Sequence, residues 1–104
     1  GGYYYFTSDE AEVKGNNIFL IEGKHSKNNF LPSLEDIKDG LLKMILFTNL
    51  ENVKIGSKNY SSVAVLKLTA ENHFSRNNLS NSQKEVFSTL QKEAKINHFE
   101  LRIL

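Results

Sequence analysis

Ile18–Asn29 reads IFLIEGKHSKNN: four apolar residues run straight into a carboxylate, a glycine, a lysine and a polar tail. The apolar run has the length of a buried strand, and a buried strand that ends in charge usually presents that charge to something. Side chains of an extended chain alternate between two faces, so Ile18, Leu20, Glu22 and Lys24 share one of them. Glu22 and Lys24 therefore stand side by side. Taken alone, a Glu-x-Lys at a strand end is most often an exposed ion pair worth under about 1 kcal/mol. The segment before it changes that reading.

Glu10–Lys14 leads into Gly15-Asn16-Asn17, and a Gly-Asn pair between strand-like residues signals a two-residue hairpin turn, since both residue types tolerate positive φ. With Gly15 and Asn16 at the tip, Lys14 pairs with Asn17 and opposed residue numbers sum to 31. That register sets Val13 against Ile18, Ala11 against Leu20 and Asp9 against Glu22, so Asp9, Glu22 and Lys24 converge. A one-residue slip turns Asp9 away and brings Glu10 or Glu12 to the same place. Two carboxylates and a lysine at the end of a hairpin make a hard-oxygen site suited to Mg²⁺, which keeps some of its waters and leaves positions for phosphate oxygens.

Asp9, a gap, and then Glu22-Gly23-Lys24 on a hydrophobic strand resembles the PD-(D/E)XK nuclease superfamily. The continuation, GKHSKNNFLPSLEDIKDGLLKMILFTNL, is similar to type II restriction endonucleases of that superfamily. The resemblance covers most of the chain in order and departs at Ser8, where the family's name has proline. It implies a restriction-endonuclease-like, Mg²⁺-dependent endonuclease in which Asp9, Glu22 and the Gly23 carbonyl bind the metal and Lys24 helps position and activate the attacking water. It further implies double-stranded DNA as substrate and a homodimer, because double-strand cleavage needs two sites. The family core has a helix before its first strand, whereas this sequence opens Gly1-Gly2 without methionine and reaches strand-like residues at Tyr3. Residues 1–104 are accordingly expected to be one nuclease-core domain, a fragment of a longer protein that lacks the N-terminal helix.

A chain of 104 residues supports one modest core. With 13 Lys and Arg against 12 Asp and Glu, the net charge of +1 gives no global basic field, and DNA contact must rest on local clustering. The absence of cysteine excludes disulfides, thiol nucleophiles and thiolate zinc sites. No run is long enough to span a bilayer and no signal-peptide pattern is present, so an intracellular, cytoplasmic protein without a membrane partner is expected.

Along the rest of the chain, Tyr3–Thr7 reads as an aromatic strand that bends into Ser8–Val13. His25-Ser26-Lys27-Asn28-Asn29 reads as a polar loop, either plainly solvated or placing His25, Ser26, Lys27 and Asn28 against DNA beside the scissile phosphate. Ser33 caps a helix running to about Leu50, with Leu34, Ile37, Leu41, Met44, Ile45 and Thr48 inward, Leu42, Leu46 and Phe47 widening that stripe, and Gly40 marking a close approach. Asp39 and Lys43, four apart, form an exposed pair or else bring Lys43 to the site as a DNA contact. Glu51–Tyr60 is a partly polar segment with a turn. Ser62–Thr69 is a strong strand, parallel to Ile18–Lys24 because a helix joins them.

The loop Ala70–Leu79 lies beyond the carboxyl ends of those strands and offers Arg76 and Asn77 as DNA contacts. A second helix starts at Ser80 or Ser82, where Ser82-x-x-Glu85 offers a capping box. It carries Val86, Phe87, Leu90 and Ala94 inward to about Ile96, and His98–Leu104 closes as a strand. The order β-β-α-β-α-β predicts an α/β fold with a mixed β-sheet flanked by helices. A reading of another class stays open: a non-catalytic nucleic-acid-binding or interaction α/β domain with Glu22 and Lys24 as a surface pair.

Overall fold

The structure, a computed structural model, describes residues 9–27, 31–50, 52–71 and 76–103; the strand expected over Tyr3–Thr7, and Asn28, lie outside them. In chain order the described elements are β1 (Glu10–Lys14), β2 (Asn17–Ser26), α1 (Leu34–Thr48), β3 (Asn52–Ile55), β4 (Lys58–Ala70), α2 (Asn81–Asn97) and β5 (Glu100–Ile103). A 3-10 turn over Arg76–Asn78 precedes α2. The fold is α/β with one mixed sheet, which among the described residues has five strands and two α-helices beside it.

The β1–β2 hairpin forms in the expected register, from Lys14 opposite Asn17 to Glu10 opposite Ile21. Gly15 takes φ +60° at its tip, the conformation demanded at the first central position of a type II′ turn. A second hairpin uses the same device. Gly56, at φ +62°, and Ser57 join β3 to β4, with Ile55 opposite Lys58. The sequence reads there as a partly polar segment with a turn, so β3 is an added strand, and β4 begins at Lys58 rather than Ser62.

β4 is the central strand. It pairs in parallel with β2 over Asn17–Ser61 to Ser26–Ala70, as the intervening helix requires, and its other edge carries β3 near its start and β5, parallel, near its end. Both crossovers step the same way across the sheet, which places both helices on one face instead of flanking two. That face supplies Ile18, Leu20, Ala64, Leu66 and Leu68 to a core closed by Ile37, Met44 and Phe47 of α1 and by Phe87 and Leu90 of α2. Each buried Leu, Ile, Met or Phe side chain among these contributes roughly 1.5–3 kcal/mol.

On the opposite face Ile21 and Val65 are buried as well, at 1% and 0% exposure. The Lys67–Glu10 ion pair, at 3.0 Å, crosses β2 on that face, and the Arg102 guanidinium crosses β4 to lie 5.7 Å from the Phe19 ring.

Ser33 caps α1 as expected, its hydroxyl accepting from the Asp36 N–H at 3.2 Å. The buried stripe is turned from the expected one. It runs Ile37, Gly40, Met44, Phe47, whereas Leu34 and Ile45 are both 52% exposed. The cause is the contact at Gly40, where a Cβ would lie 2.7 Å from Leu66 Cδ1, so this line of the helix comes nearest the sheet.

For α2 the capping box is Ser80 with Gln83, not Ser82 with Glu85; Ser80 Oγ accepts from the Gln83 N–H and Gln83 Oε1 from the Ser80 N–H. His98 ends that helix in the left-handed conformation, φ 58°, which delays the last strand to Glu100. Among the described residues no helix is long and apolar enough to cross a membrane.

Candidate active site

Glu22 lies on the helix-covered face of β2, two residues beyond Leu20, and is 5% exposed. Lys14 and Asn17 flank the two-residue turn, so the odd-numbered positions of β2 exchange hydrogen bonds with β1 and the even-numbered ones sit in the closer, non-bonded pairs. One step beyond the ladder this places Asp9 beside Glu22. Asp9 Oδ2 accepts the Gly23 N–H at 3.0 Å, which ends the ladder with a side chain in place of a main-chain partner. The Gly23 carbonyl faces the same strand edge as its N–H.

Lys24, on the same face, reaches α1. Its Nζ lies 2.6 Å from Asp39 Oδ2 and 3.9 Å from Glu22 Oε2. Asp39 was not singled out by sequence reasoning except as a partner for Lys43. Asp36, Asp39 and Lys43 recur at helical spacing on one stripe, and this was the signal that could have found it. Lys43 is half-buried and acts on both Glu22 and Asp39 through its charge.

Burial pushes the Glu22 carboxyl above the usual range, and the neighbouring Asp9 charge adds to this; Lys43 and Lys24 pull the other way without cancelling it. The Lys24 ammonium is held above the ordinary lysine range chiefly by its bond to Asp39, and Asp39 is correspondingly lowered by Lys24. A carboxyl raised in the folded state favours folding most when protonated, below its unfolded pKa, and that contribution is lost as pH rises through the folded value. Glu22→Gln is therefore expected to raise the thermal midpoint of the metal-free protein at pH 7 by roughly a few degrees. The gain should vanish below about pH 4, where Glu22 is protonated in both states, and melts by circular dichroism across pH 4–8 would check this.

The other expected contacts are spread over both faces. β2 extends through Ser26, so His25 and Ser26 are strand residues and the expected loop begins only at Lys27. His25 is exposed on the opposite face from Glu22, its Nδ1 2.7 Å from Thr69 Oγ1, and Ser26 is buried at 8% exposure. The parallel pairing of His25 with Thr69 and Ser26 with Ala70 holds these two residues in the sheet. Lys27 is exposed just past β2, and Asn77 is exposed in the 3-10 turn beyond β4, at the same end of the sheet. The backbone of Arg76 lies in that turn.

Two adjacent carboxylates, one of them buried, together with a main-chain oxygen at a strand edge form a donor set suited to a small hard cation that retains water. Among the described residues there is no group of three or more His, Asp or Glu side chains that could hold a metal ion. Against protein-family models, curated proteins and solved structures, the chain has no match.

Proposed function

We propose that the chain is a Mg²⁺-dependent DNA endonuclease core of the restriction-endonuclease-like type. The observation that carries this reading is a buried carboxylate, Glu22, set beside Asp9 and two residues from a lysine whose ammonium lies 3.9 Å from it. A buried carboxylate against a second one is costly in a metal-free protein, and a divalent cation relieves that cost.

When bound, Mg²⁺ would supply Lewis-acid stabilisation of phosphoryl oxygens and make water a stronger nucleophile. Asp9, Glu22 and the Gly23 carbonyl would hold it. The Lys24 ammonium is placed to orient the attacking water and to offset negative charge as it builds on the phosphoryl group. Lys43 and Lys27 offer positive charge for the flanking backbone, with Asn77 and Arg76 at the same end of the sheet. Buried Ser26 and the oppositely facing His25 are left out of this DNA face. Double-strand cleavage would require a homodimer that brings two such sites to the two strands.

The 2.6 Å ion pair of Lys24 with Asp39 favours a second reading, an interaction domain in which these charges form a surface network. Plasmid cleavage in Mg²⁺ or Mn²⁺, with EDTA and Glu22→Gln as controls, separates the two. Cutting that EDTA stops and Glu22→Gln reduces by about a hundredfold or more supports the nuclease. Absence of cutting, with no Mn²⁺ binding dependent on Asp9 and Glu22, supports the interaction domain.

A further inference from the structure

We infer that Asp39 is a positioning residue that draws the Lys24 ammonium off Glu22 and so keeps Glu22 open to a divalent cation. The inference rests on the nuclease reading and adds to it a residue from another element.

Lys24 Nζ has two carboxylates within reach and is divided unequally between them. Asp39 Oδ2 takes a direct charge-assisted hydrogen bond at 2.6 Å, while Glu22 Oε2 is at 3.9 Å, beyond hydrogen-bonding distance. The flanking geometry makes this division consequential. Glu22 is tied to the sheet, and an ammonium seated directly on it would occupy the lone pairs a cation needs and add repulsion between like charges. With its side chain 55% exposed, Asp39 contributes little to stability through such a pair. Its influence is felt instead at Glu22, through the position of one charge.

The direct bond of Asp39 is to the Lys24 ammonium, so the role inferred for it is exerted through Lys24. It is set there by α1, whose distance from the sheet is fixed one residue later by the Gly40–Leu66 contact. Lys43, one turn on, acts on Glu22 through its charge, with no direct bond to it among the described residues.

The test is Mn²⁺ titration by calorimetry of the wild-type chain, Asp39→Asn, Lys24→Gln and the double variant, with Asp39→Glu as the conservative control and circular dichroism to confirm folding. Asp39→Asn is expected to weaken Mn²⁺ binding by about tenfold, because Lys24 falls back onto Glu22. Lys24→Gln should bind at least as tightly as wild type, the double variant should match Lys24→Gln, and Asp39→Glu should recover most of the affinity. Unchanged binding in Asp39→Asn would overturn the inference. So would a double variant as weak as Asp39→Asn, which would make Asp39 a ligand. Wild-type binding that Glu22→Gln leaves intact would instead bring down the metal site itself, and the inference with it.

Discussion

Lys24→Ala is expected to lower metal-dependent DNA cleavage by about 10²–10⁴-fold while leaving Mn²⁺ affinity at or above that of the wild-type chain. The two effects separate because Lys24 is not a metal ligand on this reading. Its ammonium stands 3.9 Å from Glu22 and is held charged by Asp39, so removing it takes positive charge away from the place where phosphoryl charge grows. It also removes a cation that repels the metal. The loss should therefore appear in kcat with KM for DNA little changed, since an interaction made only in the transition state is the one deleted. Single-turnover cleavage of an end-labelled duplex, with Mn²⁺ titration of the same preparation, measures both. A variant that loses cleavage only in proportion to lost metal affinity would show that Lys24 merely organises the carboxylates.

The hairpin carrying this site was legible from local chemistry alone. Gly15-Asn16 fixes the turn, alternation fixes the faces, and together they gave the observed pairing of β1 with β2 and put Asp9 within reach of Gly23. Two other features depend on contacts that local sequence does not encode. The end of β2 at Ser26 is set by pairing with Ala70, 44 positions away in the chain, so a polar HSKNN tail read as loop from its first residue. The rotation of α1 was hidden for a different reason. Leu34, Leu42, Ile45 and Leu46 are apolar yet exposed, so hydrophobic residues surround too much of this helix for their spacing to single out a buried stripe. With the rotation unknown, Asp39 could not be assigned to Lys24. β3 was missed because NVKI is short and half polar, although Gly56-Ser57 is a hairpin signal of the same kind as Gly15-Asn16.

Gly40 links that helix rotation to the site, and Gly40→Val is expected to lose about 3 kcal/mol in urea unfolding. Intrinsic propensity argues the other way, because replacing glycine inside a helix is worth a few tenths to about 1 kcal/mol in favour of the variant. The contact overrides it. A Cβ at this position would lie 2.7 Å from Leu66 Cδ1, with Cδ2 at 3.5 Å and Cγ at 3.7 Å, and Leu66 is fully buried on the central strand. Neither side can yield cheaply, since Leu66 is hemmed in by the core and α1 is held by Ile37, Met44 and Phe47.

The strain is released by lifting α1, and this carries Asp39 away from Lys24 because Asp39 directly precedes Gly40 on the helix. Gly40→Val should accordingly weaken Mn²⁺ binding as well as stability, in the manner of Asp39→Asn. Shortening the opposing side chain tests the cause: adding Leu66→Ala to Gly40→Val should restore part of both losses, although Leu66→Ala alone costs about 2–5 kcal/mol. Additive stabilities in that cycle would mean that Gly40 and Leu66 do not meet in solution as they do here. The link from helix packing to the lysine would then have no physical basis.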